Sequence, residues 1–276
     1  MAISQYSPPV NQLLTYGDPH THGHDWSEYL NLGITNAHIP ALMQILEDEA
    51  LFLSESEDED YWAVVHAWRL VGVLKAEAAI PALIAVLGRW GDDEPWWEWI
   101  NEEFPDVFLA IGTVTIPALV GFITDRQQLD FPRGTAARVL RGIAQHYPES
   151  RLQCIEGITQ QLQAFTDNTL ELNAYLIEVL ADLRAIESAA VMEQAYQLKC
   201  VEESIIGDWD EVQVDLGLKT REEVPLKRYY LDPSPYRSPR ESEFEFGHFG
   251  DGVKKTKAKT KRKQQKESRK KNRKKK

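Results

Sequence analysis

Ile39-Pro40-Ala41-Leu42, Ile80-Pro81-Ala82-Leu83 and Ile116-Pro117-Ala118-Leu119 are three copies of one tetrapeptide, set 41 and 36 residues apart. A period near 40, with a proline entering an apolar segment, is the mark of stacked helical hairpins, because one hairpin cannot bury its apolar face alone. Proline is tolerated in the first turn of a helix, where its missing N–H would have had no partner. Pro40, Pro81 and Pro117 are therefore expected to open the first helix, A, of successive units. In the second unit the apolar residues Ile80, Leu83, Ile84 and Leu87 follow the i, i+3, i+4, i+7 rule of an amphipathic helix.

A second register follows in the B helices. Ala67-x-x-Leu70-Val71-Gly72, Val107-x-x-Ala110-Ile111-Gly112, Ala137-x-x-Leu140-Arg141-Gly142 and Leu176-x-x-Val179-Leu180-Ala181 align, with a small residue in the same place each time. Glycine inside a helix costs about 1 kcal/mol relative to alanine, so its recurrence predicts close helix approach at that point. A fourth A helix fits residues 151–165, after Pro148. A fifth fits residues 189–198, where Leu183-Arg184-Ala185 echoes Leu74-Lys75-Ala76. The expected fold is all-α: a right-handed α-solenoid of about five helix hairpins over residues 25–218. A short helix from Asp25 should cap one end and residues 201–218 the other.

Composition sets the outer limits. Residues 1–24, rich in Pro, Gly and His, are expected to be a disordered, flexible lead-in. Residues 219–253 mix Pro, Ser, charge and aromatics without a period and read as a linker. Residues 254–276 hold fifteen Lys or Arg and one acid, Glu267, and are expected to be a disordered basic tail. Subtracting the tail's +14 from the chain's −12 leaves −26 on residues 1–253. No apolar run approaches the ~20 residues of a membrane span. The start MAISQYSPPVNQ lacks a basic region followed by an apolar core, which argues against a secretory leader. Cys154 and Cys200 are the two cysteines, in no C-x-x-C pair, so zinc fingers and a disulfide framework are not expected. These points together predict a cytoplasmic protein.

The Ile-Pro-Ala-Leu helix start, the Ala-x-x-Leu-x-Gly helix B and the period resemble HEAT repeats, in particular the short PBS-lyase HEAT-like kind. Trp26 to Leu218 also resembles an uncharacterised bacterial family, through His38-Ile39-Pro40, His66-Ala67-Trp68-Arg69, Ala76-Glu77-Ala78-Ala79 and Gly207-Asp208-Trp209-Asp210. The resemblance implies a repeat fold and no particular activity. Some relatives end in a small Cys-rich SEC-C zinc module, whose cysteines are not present here, so zinc binding does not carry over. The lyases that give the repeat its name attach bilins to phycobiliproteins, and repeat similarity alone is a weak warrant for that chemistry.

The most unusual segment is Asp92-Asp93-Glu94-Pro95-Trp96-Trp97-Glu98-Trp99-Ile100-Asn101-Glu102-Glu103, expected to link an A helix to its B helix. Tryptophan gives large contact area at low entropic cost and is favoured at binding hot spots, and acids around it steer basic ligands. Asp92, Asp93, Glu94, Trp96, Trp97 and Trp99 are therefore candidate protein-binding residues. His66 and Arg69, beside the apolar stripe of a B helix, are candidate groove residues. The alternative for each is packing on a neighbouring unit or solvation. His20-x-His22-x-His24 could bring three imidazoles to one side of an extended segment. Its Gly/Pro-rich setting offers no supporting shell, so neither a metal nor a cofactor is assigned. No Ser/His/Asp set is recognisable, and no catalytic residue is assigned. Cys154, beside Leu152 and Ile155, reads as a buried inert thiol.

In the tail, Lys261, Arg262, Lys263, Arg269, Lys270 and Lys271 are candidate polyanion contacts, without the interleaved aromatics that base stacking needs. The expected function is a non-enzymatic adaptor or chaperone. Its acidic, Trp-bearing surface would bind a basic or amphipathic protein segment, and its tail would gate that surface or contact a polyanion such as RNA. The rivals are a phycobilin lyase-like protein and an RNA- or ribosome-associated protein that binds through the tail.

Overall fold

The computed structural model describes residues 6–22 and 25–224. The chain divides into two compact units, Met1–Pro225 and Leu226–Lys276. The second unit, with most of the expected linker and the whole basic tail, lies outside the described residues, as does His24. Among the described residues every regular element is an α-helix or a 3-10 helix.

The three Ile-Pro-Ala-Leu copies open α1 (Ile39–Glu47), α4 (Ile80–Trp90) and α6 (Ile116–Thr124), each with its proline in the first turn. A 3-10 turn leads into each of them, and equivalent turns lead into α8 (Arg151–Leu162) and α10 (Ala189–Gln197). These helices bury one stripe apiece, such as Leu83, Val86 and Leu87 in α4 or Leu119, Phe122 and Ile123 in α6. The intervening helices are the short α2 (Glu49–Phe52), α3 (Ala63–Val73), α5 (Trp96–Ile111), α7 (Asp130–His146) and α9 (Leu170–Asp182). Helix α1 packs on α4, α4 on α6 and α6 on α8, while α3 packs on α5, α5 on α7 and α7 on α9. Cross-contacts join α1 to α3, α4 to α5, α6 to α7 and α8 to α9. The last described helices, α11 (Glu203–Ile206) and α12 (Trp209–Asp215), close against α9.

The recurring Leu-basic-small turn is a helix stop. Lys75, Arg184 and Lys199 have φ of 49°, 50° and 57°. At the first, the Ala76 N–H reaches the Val71 carbonyl and the Lys75 N–H the Gly72 carbonyl, the paired bonds of a Schellman motif. The same pair recurs at Arg184–Ala185 and Lys199–Cys200. A side chain at left-handed φ is strained where glycine is not. Lys75→Gly is therefore expected to raise stability by about 0.5–1 kcal/mol, read as a higher urea midpoint at unchanged slope.

The four aligned small residues are all buried, but for different reasons. A Cβ on Gly72 would sit 3.3 Å from the Val107 Cα, so α3 and α5 do approach backbone to backbone there. Gly142 meets nothing within 4 Å, and Gly112 lies past the end of α5 at φ +104°, its N–H bonded to the Phe108 carbonyl. Two other glycines mark close contacts: Gly134 on α7, where a Cβ would fall 2.8 Å from the Tyr175 ring, and Gly157 on α8, which faces Val120.

Residues 6–22, expected to be a disordered lead-in, are folded. A 3-10 segment over Val10–Thr15 buries Val10, Leu13 and Leu14, Tyr6 is also buried, and the Tyr6 hydroxyl donates to Asp48 Oδ2 at 2.8 Å. Burial first, and then Asp48, raises the Tyr6 hydroxyl well above the ordinary phenol range. After a short 3-10 turn at Pro19–Thr21, a longer 3-10 segment, Trp26–Leu32, begins at Asp25, whose side chain accepts from the Ser27 N–H, and ends at Gly33 with φ 74°. This N-terminal arm lies against α3 through Val10–Thr15 and Trp26–Leu32. Every residue of α3 from Ala63 to Gly72 is buried, as a helix covered on all sides must be. No single helix among the described residues is long and apolar enough to cross a membrane.

Candidate functional site

Polar and aromatic side chains of helices α3, α5, α7 and α9 meet from each helix to the next along one face. The first part of that face is covered. Arg69 on α3 places Nε 3.0 Å from Glu103 Oε2 on α5, and its Nη2 donates to Glu103 Oε1. The Trp68 indole N–H donates to the same Glu103 Oε2 at 2.6 Å. The guanidinium lies 5.5 Å from the Trp26 ring and 5.8 Å from the Trp99 ring, within cation–π range of both.

His66, fully buried one turn earlier, has Nε2 2.9 Å from the Gly17 carbonyl oxygen. A carbonyl only accepts, so Nε2 carries the proton and Nδ1 accepts from the Tyr29 hydroxyl at 2.6 Å. The Tyr29 oxygen in turn accepts from Arg69 Nη1 at 3.3 Å. The chain of bonds runs Arg69, Tyr29, His66, Gly17, and each polar atom in it has a partner. Burial pushes the imidazole pKa down to about 3; the Gly17 carbonyl opposes this and the Arg69 charge adds to it.

His22 is half-buried and His20 is exposed, and both rings meet other aromatic rings. His22 stacks on Tyr16 at 4.2 Å, with Nε2 2.8 Å from the Tyr16 carbonyl oxygen. His20 pairs with Asp18 and lies edge-on to Trp99 at 4.7 Å and Trp62 at 6.2 Å. Among the described residues no group of three His, Cys, Asp or Glu is placed to hold a metal ion.

The remainder of the face, on α5, α7 and α9, is not covered by the arm's described residues. Trp97 meets Phe131 edge-on at 5.7 Å, and Phe131 meets Tyr175 at 6.2 Å. Gly134 lets the Tyr175 ring settle on the α7 backbone. Arg138 lies over both rings, 5.2 Å from Tyr175 and 5.7 Å from Phe131. It donates to Asn101 Oδ1 at 3.2 Å and faces Glu178 at 3.6 Å. Thr135 also donates to Asn101 Oδ1, and Arg141 pairs with Asp182. Charge therefore alternates from helix to helix, and ion pairs tie α3 to α5 and α7 to α9. Between α5 and α7 the ties are the hydrogen bonds to Asn101. Glu102 and Asp106, one turn apart on the exposed side of α5, make no ion pair or hydrogen bond among the described residues.

The sequence-predicted residues fall into four groups. His66, Arg69 and Trp96 are buried and engaged within the chain. Trp96 packs on Phe52 and Tyr61 and donates its indole N–H to the Phe52 carbonyl at 2.9 Å. Trp97 and Trp99 are half-buried on opposite flanks of α5, Trp97 toward α7 and Trp99 toward α3 and the arm. Asp92, Asp93 and Glu94 are exposed on the α4–α5 connection. The three tryptophans thus belong to helix α5 itself, where the expectation put them on the link. Lys261, Arg262, Lys263, Arg269, Lys270 and Lys271 lie outside the described residues. Sequence reasoning did not single out Asn101, Phe131, Arg138, Tyr175 or Glu178. Their signal was present as the helical spacings Trp97-x3-Asn101, Phe131-x6-Arg138 and Tyr175-x2-Glu178. Cys154 is buried and its thiol pKa is pushed up to about 11 by desolvation, far from a nucleophile's range.

A scan of protein-family models, a search of curated proteins and a search of solved structures each returned no match to the chain.

Proposed function

We propose that this protein is a non-enzymatic protein-binding adaptor, its helices stacked as a right-handed α-solenoid of about five HEAT-like hairpins. The two parallel series of contacts, α1-α4-α6-α8 and α3-α5-α7-α9, support that arrangement. The observation that carries the function is the line Trp97–Phe131–Tyr175 with Arg138, left open by the described part of the arm, beside Glu102 and Asp106, which make no ion pair among the described residues. Half-buried aromatics held rigidly by neighbours lose little entropy on binding, and acids beside them favour a cationic partner. The basic tail supports a separate contact with a polyanion, since fifteen cations release many counterions.

A photo-crosslinking residue placed at Glu102 tests this reading in the native cell, with one at exposed Ala85 on α4 as its control. A discrete protein adduct from position 102 and not from position 85 is expected. No adduct from position 102, or the same set from both positions, would sink it.

A further inference from the structure

The N-terminal arm shows what this face accepts. Between residues 16 and 29 the chain lays two backbone carbonyls, Gly17 and Pro19, against the donors His66 Nε2 and Arg69 Nη1, at 2.9 and 3.5 Å. It sets the rings of His20 and Trp26 against Trp62, Trp99 and the Arg69 guanidinium. The seat on α3 and α5 is thus built from side-chain donors, an arginine held by a glutamate, and tryptophans, and its occupant is an irregular, ring-bearing stretch of chain.

The adjoining part of the face repeats those components without an occupant among the described residues. Arg138 is faced by Glu178, as Arg69 is held by Glu103. Trp97, Phe131 and Tyr175 stand where Trp62 and Trp99 stand in the first part. The Asn101 amide NH2 and the Tyr175 hydroxyl make no hydrogen bond among the described residues. One element differs: Glu102 and Asp106 are carboxylates without a cation.

Resting on the adaptor reading above, we infer that α5, α7 and α9 bind an extended segment of a partner protein that alternates aromatic with Lys or Arg side chains. The segment lies alongside the arm and meets the same kind of surface. Its rings stack on Tyr175, Phe131 and Trp97, a backbone carbonyl accepts from Asn101, and its cations neutralise Glu102 and Asp106. Three helices at the usual ~8–10 Å spacing span roughly 20 Å. An extended chain rising ~3.3 Å per residue crosses that width in about six residues.

Fluorescence anisotropy with the full chain and a labelled, end-capped peptide KWKYKWKY, at low salt, tests the assignment against KAKAKAKA of equal charge. The aromatic peptide is expected to bind at least tenfold more tightly. Glu102→Gln combined with Asp106→Asn, both exposed positions, is expected to weaken it at least fivefold and to flatten its salt dependence. Tyr175→Ala is expected to weaken it about tenfold. Equal binding of the two peptides, or wild-type binding by the charge variant, would overturn the inference; the charge variant decides the matter if Tyr175→Ala fails to fold. If the peptides fail while the position-102 crosslink still captures a protein, the segment chemistry is wrong and the adaptor reading stands. If both fail, both are wrong.

Discussion

Glu103→Ala is expected to lower stability by about 3–5 kcal/mol, the usual result of removing one partner of a buried ion pair. Side-chain exposure of Arg69 and Glu103 is 8% and 12%, so little water is at hand to take over. The substitution leaves Arg69 Nε and Nη2 and the Trp68 indole N–H without their acceptor in the interior. It also removes the charge that lets Arg69 sit between Trp26 and Trp99. Because Arg69 holds Tyr29 and, more weakly, the Pro19 carbonyl, the N-terminal arm should loosen with it. Urea unfolding gives the loss, and hydrogen exchange at residues 10–32 should rise in the same variant. Glu103→Gln keeps one acceptor and should cost less than alanine. A loss below about 1 kcal/mol for Glu103→Ala would show that Arg69 finds other partners.

The second large effect is acid sensitivity at His66. In the unfolded chain the imidazole titrates near the ordinary 6.5, and in the folded chain its pKa is about 3. A depressed pKa means that the native state refuses a proton the unfolded state takes up. The stabilisation is therefore complete above pH 6.5 and drains away as pH falls toward 3. Over the whole window it amounts to on the order of 4–5 kcal/mol, and about 2 kcal/mol of that falls between pH 7 and 5. The cause is local: burial strips the charged ring of water, the Gly17 carbonyl partly opposes this, and the Arg69 charge adds to it. Asp18, whose charge opposes the shift, and His22, whose charge adds to it, also act on the ring. Urea unfolding of the wild type and of His66→Gln at pH 7, 6 and 5 isolates the effect, since the other titrating groups are common to both. Parallel pH profiles for the two proteins would refute it.

Helix starts were legible because proline has one comfortable place in a helix, and Pro40, Pro81 and Pro117 occupy it. The stop signals at Lys75 and Arg184 were visible as an echo, but their left-handed backbone was not, since lysine and arginine are not residues that advertise it. The arm escaped notice because Pro8, Pro9, Gly17 and Pro19 dominate its composition, although Val10-x-x-Leu13-Leu14 carried a short apolar pattern. His66 and Arg69 are visible in the sequence as polar residues beside an apolar stripe, and both are buried. Their partners, Gly17, Tyr29 and Glu103, are 49, 37 and 34 residues away along the chain, and nothing local points to them.

Periodicity, proline placement and composition determined an all-helical chain, the positions of its first helices and the excess of acid over base ahead of the tail. Those properties follow from local sterics and from simple counting. Tertiary structure decided which polar residues are surface and which are interior. It folded the arm over α3, so that His66 and Arg69 became its anchors, and it brought Trp97, Phe131, Arg138 and Tyr175 together from three helices. Such neighbours are set by which helix faces meet, and that depends on how side chains far apart in the chain fill one another's gaps.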